Sequence, residues 1–310
     1  MTFVPRRSGH GLHGRHRGAW RLGLALFCGA LIGATVQAQG EAAALQQQRA
    51  ALQPQLKASA FGQPLVLTSR ESADALAGDV HAEMPQAFGR LVELFRSGPA
   101  MCEMLLLHLN VRGCRAGGQT ASSGPGSIVL LAGPKQVDAA SLLHPMRYSV
   151  QLQTPAVDYV RLTLTAPQGP LGTRDYRIVV EATPIDSSRS FVRLSYAYRF
   201  GLLGRTAMQV YLATAGRAKT GFTVETAADG KPQPVRGARA ALERNVMRYY
   251  LALLAYGQVE GAPGGERTQA RMRRWFALSE QYAAQLHELT LEDYLQEKRR
   301  DLDRPLPEGS

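Results

Sequence analysis

What this 310-residue chain has little of narrows what it can be. It carries only 3 cysteines and 2 tryptophans. Cys28 falls in an apolar run near the N-terminus, which leaves Cys102 and Cys114 for the rest of the chain. No Cys-x2-Cys or His-x3-His accompanies them, and the nearest spare histidines, His81 and His144, have no diagnostic spacing, so structural zinc is disfavoured. There is no GxSxG, no Walker loop, no HExxH and no Rossmann fingerprint set between a strand and a helix, which counts against common hydrolases and nucleotide enzymes. No internal repeat is visible. No metal and no cofactor is expected.

Acid is missing from the first 38 residues, which contain Arg6, Arg7, Arg15, Arg17 and Arg21. An apolar run, "LGLALFCGALIGATV" (22–36), follows and ends at Val36-Gln37-Ala38. A basic start, an apolar stretch of about 15 residues and a small-x-small exit predict a secretory signal peptide over 1–38, cleaved near Ala38. The run is short for a membrane anchor. The expected location is periplasmic or secreted. Without the leader, 31 basic side chains face 25 acidic ones, and the apparent net charge of +11 falls to about +6. That balance does not by itself suggest nucleic acid.

Residues 39–63 form an Ala/Gln-rich lead-in, expected as a short exposed helix or linker. "PLVLTS" (64–69) reads as a strand, and "GDVHAEM" (78–84) as another with Gly78-Asp79 as its turn. From Pro85, Phe88, Leu91, Val92 and Phe95 recur at helical spacing. A second short helix over 99–107 leads into extended "HLNVRGCRA". Four segments then alternate apolar and polar residues with period two. Met146, Tyr148, Val150 and Leu152 share one side of the first, and Val160, Leu162 and Leu164 one side of the second. Arg174, Tyr176, Ile178 and Val180 share one side of the third; Val192, Leu194, Tyr196, Tyr198 and Phe200 share one side of the fourth. This predicts an antiparallel sheet with one wet and one covered face. Residues 202–215 are moderately amphipathic. The strongest helix is 236–256, with Ala238, Leu242, Val246, Tyr250, Leu253 and Gly257 on one stripe. Arg239, Glu243, Arg244 and Arg248 form its polar flank, Arg239 and Glu243 as an i,i+4 pair. A charged helical tail occupies 260–310, with Thr290 and Asp293 spaced for a helix cap.

The order of these elements, with the segments "LHLNVRGCRA", "GPLGTRDYRIVVEA", "LSYAYRFG", "MQVYLAT" and "ERNVMRYYLALLAY", resembles the START-like helix-grip superfamily over residues 64–259. The resemblance implies an α+β helix-grip fold, a curved antiparallel sheet wrapped around a long C-terminal helix, here with extra C-terminal helices. It further implies a cavity for a hydrophobic or amphipathic small molecule such as a lipid. It carries over no catalytic motif, so carrier, cyclase- or hydrolase-like enzyme and filled-core interaction protein all remain open. The predicted ligand-binding wall is Tyr148, Leu152, Leu162, Arg174, Tyr176, Ile178, Leu194, Tyr196, Tyr198, Val246 and Tyr250. Arg174 would receive a ligand acid or pair a structural one.

"CEMLLLHLNVRGC" (102–114) brackets His108 between two cysteines. A metal clip, a thiol nucleophile, a disulfide and two free thiols are the options. An even cysteine pair in an exported chain favours a disulfide. One continuous helix would hold the two Cα atoms about 18 Å apart, so the bond requires the helix to end near Leu107 and the chain to turn back. His108 is then a structural histidine or a polar wall group; as an enzyme's acid or base it is the alternative. Asn245 and Tyr249 on the long helix could line one end of a cavity. "RMRRWF" (271–276) is compatible with membrane-surface contact through the tail, although neighbouring acids favour a solvated helix.

Overall fold

A computed structural model describes residues 25–118, 124–135, 142–201, 204, 219–227, 229–261 and 264–306. The expected helix over 202–215 and the arginine-rich start of the leader lie outside the described residues. Eight strands make one antiparallel sheet in the order β1-β2-β8-β7-β6-β5-β4-β3. They are β1 (Leu65–Glu71), β2 (Ala75–Met84), β3 (Val111–Gly117), β4 (Ser127–Ala132), β5 (His144–Ala156), β6 (Tyr159–Gln168), β7 (Thr173–Pro184) and β8 (Ser190–Phe200). A hairpin of β9 (Val224–Thr226) and β10 (Pro232–Pro234) stands apart. The helices are α1 (Ala25–Lys57), α2 (Phe88–Arg96), α3 (Gly98–Leu106), α4 (Gly237–Gln258), α5 (Gly264–Glu280), α6 (Ala283–Leu286) and α7 (Leu291–Leu302). The long helix α4 lies on the face that carries the alternating apolar residues, packed on β1, β2 and β8. The architecture is α+β helix-grip.

The period-two pattern survives because each inward residue meets an inward partner: Val150 opposite Leu164, Leu164 opposite Ile178, Ile178 opposite Tyr196. Gly78 was expected in a turn, but it sits inside β2, paired with Ser69 and Tyr196. A Cβ there would meet Leu242 and Val246 at 3.3 and 3.4 Å, so the glycine lets α4 approach the sheet closely.

The outer face is not fully wet. The predicted lead-in is the second half of α1, where Ala42, Leu45 and Leu56 pack on Val66, Tyr159 and Phe191. Gln46 donates to Thr183, while Arg49 and Gln53 donate to Glu83. Beneath it runs a charged row in which Arg193 joins Asp79 at 2.9 Å and Glu181 at 3.1 Å. Alanine and glutamine mark no apolar stripe, which is why this contact was not legible. No helix among the described residues is long and apolar enough to cross a membrane.

The tail does not trail free: α5 and α6 pack on α4, and α7 packs on α5 and β3. Together with the segment before β9 they cover what looked like a polar flank. Glu243, Arg244 and Arg248 are buried. Arg248 pairs with Glu288 at 2.6 Å, which Lys135 and Lys219 also reach. Burial alone would raise the Glu288 pKa, yet Arg248, Lys135 and Lys219 hold its carboxyl well below the usual carboxylate range. Within "RMRRWF", Arg271 lies 3.5 Å over the Tyr256 ring and pairs with Glu103, and the Trp275 indole donates to the Arg248 carbonyl. With Arg271 and Trp275 turned inward, those side chains do not form one surface patch. Thr290 caps α7 as expected, accepting from the Asp293 amide.

Arg239 and Glu243 do not pair with each other. Arg239 reaches Ser69 and Glu225. Glu243 accepts from the Ser69 hydroxyl and from the amides of Phe222 (2.6 Å) and Thr223 (3.0 Å), fastening the segment before β9 to α4. Glu243→Ala leaves two amides short of an acceptor and is expected to cost about 2–4 kcal/mol in urea denaturation. An unchanged midpoint would show that the segment holds itself without the carboxylate.

Candidate functional site

Between the sheet and α4 lies an apolar void of about 20 Å³. Leu162, Leu164, Ile178, Val180 and Leu194 supply its sheet side, and Phe95, Met101, Met104 and Leu105 its α2–α3 side. Tyr249 and Leu253 reach it from α4. The space admits about one water molecule, against roughly 300–1,000 Å³ for ligand pockets.

Tyr249 joins the void to an aromatic cluster. Tyr196 has Tyr249 at 5.6 Å, Tyr198 at 5.8 Å and Tyr176 at 6.2 Å, and Tyr176 stacks on Tyr198 at 5.1 Å. The His108 ring stacks on Tyr249 at 4.3 Å. Burial raises the pKa of Tyr148 and Tyr196 well above the phenol range, and each also feels Tyr176 and Tyr249, so the rings converge. Burial likewise raises Tyr198 and Tyr249. All of them stay protonated and able to donate. The Tyr176 hydroxyl meets Thr173 at 2.7 Å. None of the hydroxyls of Tyr196, Tyr198 and Tyr249 is among the buried polar atoms without a partner.

His108 is 1 % exposed, and its Nδ1 accepts from the Asn110 amide. Burial, then Arg248 and Lys298, lowers its pKa well below the usual imidazole range, with Asn245 opposing the shift. It is neutral and packs behind Tyr249, outside the lining of the void. The corner that carries it is the one the cysteines bracket. Helix α3 ends at Leu106, the chain turns, and Cys102 and Cys114 form a disulfide with Cα atoms 5.3 Å apart. No cluster of metal-ligating side chains occurs among the described residues.

The predicted wall is therefore partly assembled. Leu162, Ile178 and Leu194 line the void, and Tyr148, Tyr176, Tyr196 and Tyr198 form the cluster beside it. Leu152 is half-buried against Gly124 instead. Val246 packs on β2 near Gly78. Tyr250 turns the other way and donates to Gln63. On a helix, neighbouring residues point about 100° apart, so the ring at the void is Tyr249. Arg174 is the clearest correction. Its side chain is 45 % exposed, lies 3.5 Å from Asp175 and sits opposite Arg199 on the outer face. Pairing skips from Arg174 to Arg177, and Asp175 adopts φ 54°. This β-bulge adds one residue and reverses the alternation before Tyr176. Phe95, Met101, Met104, Leu105 and Leu253 were not predicted as lining. Their own helices' apolar spacing marks them as buried, not as facing a void.

No known family profile matches the chain, and no curated protein does. Among solved structures, it is similar to a START superfamily protein from Mycobacterium smegmatis, with 11% identity over 46% of this chain and 90% of that one (TM-score 0.31). It is similar to human StAR-related lipid transfer protein 5, with 9% identity over 71% of this chain and 98% of that one (TM-score 0.37). It is also similar to norcoclaurine synthase from Thalictrum flavum, with 13% identity over 48% of this chain and 91% of that one (TM-score 0.32).

Proposed function

We propose that this chain binds a small hydrophobic or amphipathic molecule, a lipid in the first instance, between the sheet and α4. The observation that carries this is the convergence of protonated tyrosines beside an apolar void. Such a wall holds an apolar body and donates to a polar group. The ligand enters by displacing the α2–α3 wall, whose Met101 and Met104 repack at low cost. The chain acts after export, in keeping with the leader and with an oxidised cysteine pair. An enzyme using the same space would rely on His108 or a tyrosine. The neutral, buried His108 and the exposed Arg174 favour binding over acid–base chemistry.

The small void favours a second reading, a filled core whose surface does the work. Native mass spectrometry with solvent extraction of protein purified from its own compartment separates the two. A co-purifying amphipathic molecule supports binding, and an empty protein that also fails to take up anilinonaphthalene sulfonate removes it. Tyr196→Phe with Tyr249→Phe deletes two hydroxyls without changing ring volume. It is expected to weaken retention of the polar ligand about tenfold with little change in melting temperature. Equal retention by the double variant would show that the hydroxyls are not the polar contact.

A further inference from the structure

A second site, independent of the void, lies on the other side of the α2–α3 wall. There a groove of about 350 Å³ opens where α2, the start of α3, the end of α4 and α5 meet. Leu94 faces this groove while its neighbour Phe95 faces the void. Three guanidinium groups line it: Arg90, Arg267 and Arg271.

Their charge is unevenly answered. Arg90 is paired twice, with Glu93 and Glu260, both at 3.2 Å. Arg271 is 6 % exposed, spends one nitrogen on Glu103 and leaves Nε buried without a partner. Arg267 has no acid or hydrogen-bond partner among the described residues, and its Nε is buried too. The Gln86 amide, 8 % exposed, also borders the groove with Oε1 unpartnered. It overlies Gly257, where a Cβ would fall 1.7 Å from that oxygen. A buried guanidinium N–H without an acceptor is costly, and two beside one another in a concave site are answered by an oxygen anion.

We propose that this groove binds a small oxyanion, a carboxylate or a phosphate, held by Arg267 and Arg271. Its volume suits a compact metabolite rather than a chain, and Gln86 Oε1 accepts from a ligand hydroxyl or amine.

Arginine Nε–H resonances followed by NMR report on the site directly. The full chain is titrated with inorganic phosphate and with citrate at constant ionic strength. Saturable shifts of the Arg267 and Arg271 signals are expected with at least one probe, and the probe that saturates names the phosphate or the carboxylate source. Arg267→Gln should weaken that binding about tenfold, the loss of one charge-assisted contact. Arg273→Gln, on the exposed side of the same helix, should leave it unchanged. Glu260→Gln removes one negative charge from the groove lining, leaving Arg90 paired with Glu93, and should tighten it. Shifts that never saturate with either probe, or an Arg273→Gln loss equal to that of Arg267→Gln, overturn the site.

Discussion

Asp301→Ala is expected to cost about 3–5 kcal/mol of stability, because it leaves two buried cations without their shared acid. Asp301 holds Arg112 Nε at 2.8 Å and Lys298 Nζ at 3.1 Å, and all three side chains are fully buried. Lys298 also donates to the carbonyls of His108 and Val111, and the Tyr294 hydroxyl donates to Leu107. Helix α7 thus clamps the corner between α3 and β3. The cluster is costly as well as cohesive. Burial lowers the Lys298 pKa to about 8 from 10.5, with Asp301 opposing the shift. Above about pH 8 the unfolded chain then binds more protons at this lysine than the folded one, so the lysine's contribution improves as pH rises towards 10.5 and is weakest at neutral pH. The stability difference between the wild type and Lys298→Met, measured in urea at pH 7 and again at pH 10, should move in favour of the wild type by up to about 3 kcal/mol. Taking the difference cancels the tyrosines, which titrate in the same range. A difference independent of pH would show that the ammonium is hydrated. Conversely, Arg112→Met with Lys298→Met, Asp301→Leu and Glu297→Gln removes the buried charges of the cluster together and should recover most of the loss from Asp301→Ala.

Removing the Cys102–Cys114 disulfide should cost about 3 kcal/mol, the scale for a loop of this size, its ends being 12 residues apart in sequence. Cys102→Ala with Cys114→Ala, or the wild type with reductant, should give the same drop in denaturation midpoint. The bond and the Asp301 cluster restrain the same corner, one from α3 and the other from α7. Their losses should therefore not add, and a double-mutant cycle should return a coupling energy of about 0.5–3 kcal/mol. Strict additivity would mean that the corner keeps its shape with either restraint alone.

The alternation from Met146 to Phe200 made the sheet legible because side-chain direction along a strand is a local property. The apolar residues of α2 and α4 were legible for the same reason. Arg174 was misplaced because a single positive-φ residue, Asp175, shifts parity, and nothing in "GTRDYR" announces a bulge. Tyr249 was passed over as a main-wall residue for Tyr250 because α4 is buried almost all round. A helix covered on two sides has no single stripe to read. The polar flank of α4 and the basic tail looked solvated, but packing sets Glu288 against Arg248, Glu103 of α3 against Arg271 and Asp301 against Lys298.

By itself, then, the sequence determined the order of the main elements apart from the β9–β10 hairpin, the inward faces of the strands apart from Arg174, and the end of α3 that lets Cys102 meet Cys114. These follow from local steric preference and from burial period. The tertiary structure alone decided how much space remains inside, which tyrosine faces it, where Arg174 points and which charges are buried. The first, second and last depend on residues distant in sequence, such as Arg112 with Asp301, and the third on a bulge whose register is set against the neighbouring strand; no local pattern records what will be packed against it.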